Sequence, residues 1–214
     1  MLWVSGSIEE SPLGFMTNMF SYPTCIFPFF RLWQRYDGKW GSDSDVPYFY
    51  RDFDEQSAAN LRKLDADYSA IRTAIRKHFP DRPFTYMISY LELENLNHNS
   101  GHAEILKSLR DSKQLAGIKT PTEIGPHGAH HLNVHCRFFT DDIPYGLLVA
   151  KWVAEKLNVE TPFINEVILW AQLLRGELFL NSDGTINKEF CLQEKYTSGI
   201  PESYGITSVD AILD

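Results

Sequence analysis

The sequence is short of cysteine, and none of its three, Cys25, Cys136 and Cys191, has a C-x-x-C neighbour. An odd count at wide spacing argues against a disulfide framework and for reduced thiols in a cytoplasmic protein. Positive charge is scarce as well: 20 Lys and Arg stand against 28 Asp and Glu, a formal charge of −8, and no basic stripe forms. Nucleic acid and anionic membrane are therefore poor partners. The densest apolar run, Tyr22 to Phe30, is broken by Pro23 and Pro28 and is too short to span a bilayer. The N-terminus has neither a basic segment nor a long apolar one, so no signal peptide is expected. Also lacking are a G-x-G-x-x-G after a strand, a G-x-x-x-x-G-K-[ST] loop and a G-x-S-x-G elbow. No dinucleotide cradle, phosphate loop or serine-hydrolase nucleophile is recognisable in this chain.

What is present is a helical pattern. At 214 residues the chain fits one large domain or two small ones. Residues 1 to 53 are rich in aromatics, Pro and Gly and read as mostly irregular, with a short helix near Phe29 to Arg35. From Asp54, apolar Leu61, Leu64, Tyr68, Ile71 and Ile75 recur at three- and four-residue steps. Acidic residues open that helix, Arg76, Lys77 and His78 close it, and Pro80 stops it. A second helix is expected over Thr85 to Leu96, and a short one capped by Ser100 carrying Ile105, Leu106 and Leu109. Residues 111 to 136 read as a long structureless connection, of the kind that wraps a site. Leu147 to Leu157 gives a further helix, ending near Asn158. Thr161-Pro162 opens another, which Gly176 ends. The tail from Asn181 to Gly205 is turn-rich, with a last short helix over Thr207 to Leu213. No alternating strand series appears, so the class is mainly α.

One stretch concentrates the chemistry: Arg137-Phe138-Phe139-Thr140-Asp141-Asp142-Ile143-Pro144-Tyr145-Gly146. Asp142 stands at an N-cap position before Pro144, where a carboxylate is favoured by the helix dipole and stays ionised. Arg137 closes the preceding segment and offers a planar fork suited to a carboxylate. The same spacing also fits a capping Asp and an Arg that merely pairs with it.

His127, His130, His131 and His135 crowd the connection ahead of Arg137. Their Pro/Gly setting lacks the helical spacing and thiolates of zinc sites, so hydrogen-bonded or solvated histidines are expected and no metal. Trp33, Tyr36, Trp40, Tyr48, Phe49 and Tyr50 read as core aromatics, with one or two free to stack on a planar cation.

R-F-F-T-D-D-I-P-Y-G-L resembles the R-Y-x-T-E-D-I/V-P-x-G signature of the octopine/nopaline (opine) dehydrogenases, in their C-terminal α-helical domain. W-Q-R-Y-D-G-K and P-Y-F-Y-R-D-F-D resemble that family's W-x-x-W-D-G-K and P-L-F-Y-x-G segments. V-E-T-P-F-I-N-E-V-I-L-W-A-Q is similar to a later helix, and Y-G-I-T-S-V-D-A-I-L to the tail of the invertebrate octopine dehydrogenases. The resemblance covers about residues 25 to 213, giving a divergent segment over 1–24 and a helical substrate domain over 25–214. It implies a helical bundle without the Rossmann domain, and hence no cofactor in this chain, where the family uses NAD or NADP. It implies reductive condensation of an amino acid with pyruvate as the family's reaction. Arg137 would then anchor the substrate carboxylate, and Asp142 would hold and charge a catalytic histidine. Where the family has that histidine, in an I-H-P-like context, this sequence reads Ile26-Phe27-Pro28. The expected partners are a keto acid or amino acid and a separate Rossmann-domain polypeptide. The expected function is an opine dehydrogenase-like oxidoreductase domain inactive alone, or else a domain that binds an amino acid, keto acid or protein without turnover.

Overall fold

A computed structural model describes residues 38–84, 87–98, 101–113, 115–194 and 197–213. The expected helix at Phe29 to Arg35, the Ser100 cap, and Trp33 and Tyr36 lie outside these.

The longest helix, α1 (Glu55–His78), begins where its cap residue predicts. Asp54 is extended and its carboxylate accepts from the Ser57 amide and hydroxyl, both at 2.8 Å. Leu61, Leu64, Tyr68, Ile71 and Ile75 are all buried, each fully buried apolar side chain stabilising by roughly 1.5–3 kcal/mol.

A short α2 (Tyr90–His98) follows, five residues later than the apolar pattern predicts. The start is set by polar chemistry: Glu92 accepts from the Ser89 amide at 2.8 Å and hydroxyl at 2.6 Å, and its own amide reaches back to Ser89 Oγ. That reciprocal box fixes the helix entry, while Met87, the apolar residue that misled the pattern, is buried outside the helix. Next comes α3 (Ile105–Arg110).

The connection from 111 to 136 is not structureless. It forms β2 (Thr122–Ile124) and β3 (His130–Leu132), which join β1 (Lys39–Trp40) in an antiparallel sheet of order β1-β3-β2. Lys39 pairs with His131, and Ile124 with His130. Strands of two or three residues are too short to show alternation. Every strand pairing among the described residues is antiparallel, whereas a Rossmann sheet is parallel. The class is mainly α, as expected.

A four-residue α4 (Arg137–Thr140) leads through a π-turn (Ile143–Leu147) into α5 (Leu148–Lys156), whose residues from Leu148 to Ala154 are all buried. Alongside it lies α6 (Pro162–Arg175), which packs Phe163, Ile164, Val167, Ile168 and Ala171 inward. Pro162 has no amide to satisfy. The amides of Phe163 and Ile164 donate instead to Asp67 of α1, at 2.8 and 2.9 Å. Gly176, with φ 72°, closes α6 in the left-handed conformation as read. The tail carries α7 (Lys188–Cys191), started by the Asn187 side chain, and α8 (Asp210–Leu213). Among the described residues no helix is long and apolar enough to cross a membrane.

Candidate functional site

Arg137 opens α4 rather than closing the segment before it. Its side chain is exposed, its guanidinium carbon stands 5.8 Å from the Phe138 ring centroid, and it makes no ion pair with any described residue. The reading of an Arg that merely pairs with Asp142 therefore fails.

Asp142 departs further from expectation. Its backbone is helical, at φ −67° and ψ −31°, and its side chain makes no capping bond. The chain runs on from α4 with widened turns. The Leu147 amide donates to Asp142 O at 2.9 Å and the Leu148 amide to Ile143 O, both five residues back. Pro144 lacks the amide that an α-helix would use there, and a π-turn absorbs the gap. With Leu148 drawn to Ile143, the Pro144 carbonyl is left to an outside donor, the Gly199 amide, at 2.9 Å.

The Asp142 carboxyl is fully buried, and among the described residues neither oxygen has a hydrogen-bond partner. Burial pushes its pKa up to about 8, against the pull of Arg137 and with a push from Asp141. The carboxyl is thus largely neutral at pH 7, which corrects the expectation of an ionised helix cap: the dipole benefit needs the free amides of a helix start, whereas Asp142 lies within a continuing helical run, makes no capping bond and is buried. Tyr68 of α1 feels the same group. Its hydroxyl is pushed well above the ordinary value by burial first and by Asp142 second. Burial and Asp142 also raise the Cys136 thiol, against the opposing amides of Phe138 and Phe139.

Sequence reasoning missed Arg175. Its Nη1 donates to the Val134 carbonyl at 2.7 Å, three residues before Arg137, while Nε and Nη2 hold Glu177 at 2.7 and 2.6 Å. The clamp ties the end of α6 to the strand exit that delivers Arg137. Its only sequence signal was a basic residue before the Gly176 cap with an acid just beyond.

Two of the four histidines of the connection, His130 and His131, make structural contacts, while His127 and His135 are exposed. His130 Nδ1 lies 3.1 Å from Thr122 Oγ1, and the His131 ring covers Gly125, where an added Cβ would come within 2.8 Å. Among the described residues no three His, Cys, Asp or Glu converge as a metal would require. Trp40, Phe49 and Tyr50 are core, with Phe49 stacked on Phe138 at 5.0 Å, and the Tyr48 ring is covered by Arg51 at 3.4 Å. Phe27 lies outside the described residues. The described residues supply no strand–glycine–helix crossover for a dinucleotide.

Comparison with known proteins gives this geometry a setting. The opine dehydrogenase of Haliotis discus hannai is 25% identical over 185 residues, covering 85% of this chain and 44% of that protein. The octopine dehydrogenase of Pecten maximus is 26% identical over 202 residues, covering 92% and 48%. A solved octopine dehydrogenase with NADH and L-arginine superposes with a TM-score of 0.75 at 25% identity, over 92% of this chain and 47% of that one. The chain thus spans about half the length of the relatives it matches. Residues 14–175 match the family described as NAD/NADP octopine/nopaline dehydrogenase, alpha-helical domain, and to that family, through that domain, the chain belongs.

Proposed function

We propose that this chain is the substrate-side helical domain of an opine dehydrogenase-type oxidoreductase, binding the carboxylate of a keto acid or amino acid through Arg137. Octopine dehydrogenase structures similar to it hold NADH with L-arginine or with pyruvate. The observation that carries the reading is Arg137 itself, an exposed guanidinium with no acidic partner among the described residues. A free fork is what bidentate carboxylate recognition needs. The hydride-supplying part comes from outside these residues, and a cytoplasmic setting fits the free thiols of Cys136 and Cys191.

Phe27 favours binding without turnover. A phenylalanine cannot shuttle a proton, and loss of a general acid–base costs about a hundredfold to ten-thousandfold in rate. Asp142 agrees, since a carboxylate with an imidazolium beside it would stay ionised, whereas here burial holds it neutral.

NMR titration with pyruvate tests the reading. The expected dissociation constant is about a millimolar, roughly 4 kcal/mol, with weaker binding by Arg137→Lys because a point charge replaces a fork. Equal binding by the two proteins would overturn the assignment of Arg137.

A further inference from the structure

We propose that the π-turn Ile143–Leu147 has two registers and that the C-terminal segment selects between them. With Gly199 docked, Asp142 is held in the core; with Gly199 displaced, Asp142 is released to the surface beside Arg137. The consequence for ligands rests on the reading of Arg137 as a carboxylate anchor given above.

The hydrogen bonds define the choice. The Leu148 amide donates to Ile143 O, five residues back. The α-helical acceptor for Leu148 is the Pro144 carbonyl, four residues back, and that carbonyl accepts the Gly199 amide at 2.9 Å. The tail therefore occupies the acceptor that the α register needs. Its hold is extended by Glu202, which takes Lys156 at the far end of α5 at 2.8 Å.

The other register suits the residues themselves. Withdrawal of the Gly199 amide frees the Pro144 carbonyl for Leu148, and α5 then starts at Pro144, where a missing amide loses nothing. Removing the extra residue of the π-turn sets the residues just before it back by one place. Ile143 takes the core place of Asp142, and Asp142 takes that of Asp141, which is exposed. A buried carboxyl with no hydrogen bond among the described residues is thus exchanged for an aliphatic side chain. The place of Asp141 is one turn from Arg137, since the Asp141 amide donates to Arg137 O at 2.8 Å. Two carboxylates then stand at the surface near the guanidinium, where one stands now, and they compete with a carboxylate ligand for its fork. By reciprocity, such a ligand favours the docked tail.

Ionisation acts in the same direction as withdrawal of the tail. Tyr68 on α1 and Cys136 ahead of α4 present neutral groups to Asp142, Asp141 a negative one, and Arg137 the one positive charge. Burial keeps the Asp142 carboxyl protonated up to about pH 8, so higher pH favours the register that returns it to water.

Long-range HNCO spectra, which identify the carbonyl accepting each amide, test this on the whole chain. At about pH 7 the Leu148 amide should correlate with the Ile143 carbonyl and the Gly199 amide with that of Pro144. Two conditions should move Leu148 to the Pro144 carbonyl: Gly199→Ala, whose added Cβ drives the tail off the turn, and about pH 9 in the unsubstituted chain. Pyruvate should bind about tenfold more weakly in both, as when the docked register falls to about a tenth of the population. Adding Asp142→Asn to Gly199→Ala should restore most of that affinity. A Leu148 amide that stays with Ile143 under both conditions overturns the switch. Movement of Leu148 to Pro144 while the Gly199 amide keeps that carbonyl overturns the part given to the tail. A register that moves with no change in pyruvate affinity overturns its link to Arg137. Pyruvate binding that ignores Arg137→Lys overturns the carboxylate reading alone, because the register is read from Leu148 without ligand. Should Gly199→Ala not fold, the pH series decides alone.

Discussion

The Gly199 amide donates to the Pro144 carbonyl at 2.9 Å, and its Cα is pressed so close that a Cβ there would lie 2.6 Å from Tyr145 Cδ1 and 3.0 Å from Tyr145 Cα. The C-terminal segment is thereby sewn to the π-turn that carries Asp142. Part of the obstruction is backbone, so a rotamer change cannot relieve it. Gly199→Ala should cost about 1–3 kcal/mol, the usual range for overpacking. Urea denaturation reads the loss, and a stability within a few tenths of the unsubstituted chain would show that the tail yields freely.

Asp67 caps α6 from another helix. One carboxylate oxygen takes the Phe163 and Ile164 amides, and the Thr161 side chain contributes no capping bond. Asp67→Ala should destabilise by about 1–2 kcal/mol, as the loss of an N-cap does. Amide exchange at Phe163 and Ile164 should rise selectively, while the α1 interior stays protected.

Helix α1 was legible because cap, stripe and stop all agree along Asp54 to Pro80, and the Pro162 to Gly176 helix for the same reason. The capping of α6 by Asp67 was not, since its donor and acceptor lie almost a hundred residues apart. Nor was the state of Asp142. Spacing shows that an acid precedes Pro144, but whether it caps a helix or sinks into the core depends on what packs over it. The proline that looked like a helix start instead marks a π-turn within a continuing helical run. The three-stranded sheet was hidden because each strand contributes three residues or fewer.

Arg175 is expected to act on Arg137 at a distance. Its fork holds both Glu177 oxygens and the Val134 carbonyl, geometry that a lysine cannot reproduce. Arg175→Lys should cost about 1–3 kcal/mol, typical of a hydrogen bond to a charged group lost in a partly buried site. It should also speed amide exchange between Val134 and Arg137. Pyruvate affinity should fall with the loosening of that segment, and unaltered exchange there would show that the sheet alone positions Arg137.

The pH dependence of stability isolates Asp142. Its folded pKa, about 8, lies above the ordinary carboxylate value because burial penalises the charged form. The folded state therefore holds a proton that the unfolded state releases between about pH 4 and pH 8. The contribution of this group is fully present below pH 4 and is lost as pH rises through that window, by up to about 1.4 kcal/mol per pH unit. Asparagine has nearly the same shape and no proton to lose, so Asp142→Asn should remove the dependence. The stability of Asp142→Asn relative to the unsubstituted chain should increase from pH 5 to pH 6.5 to pH 8, conditions chosen to sample that window. Urea denaturation at those three values measures it, and a difference that stays constant with pH would mean that Asp142 is ionised in the folded protein at neutral pH.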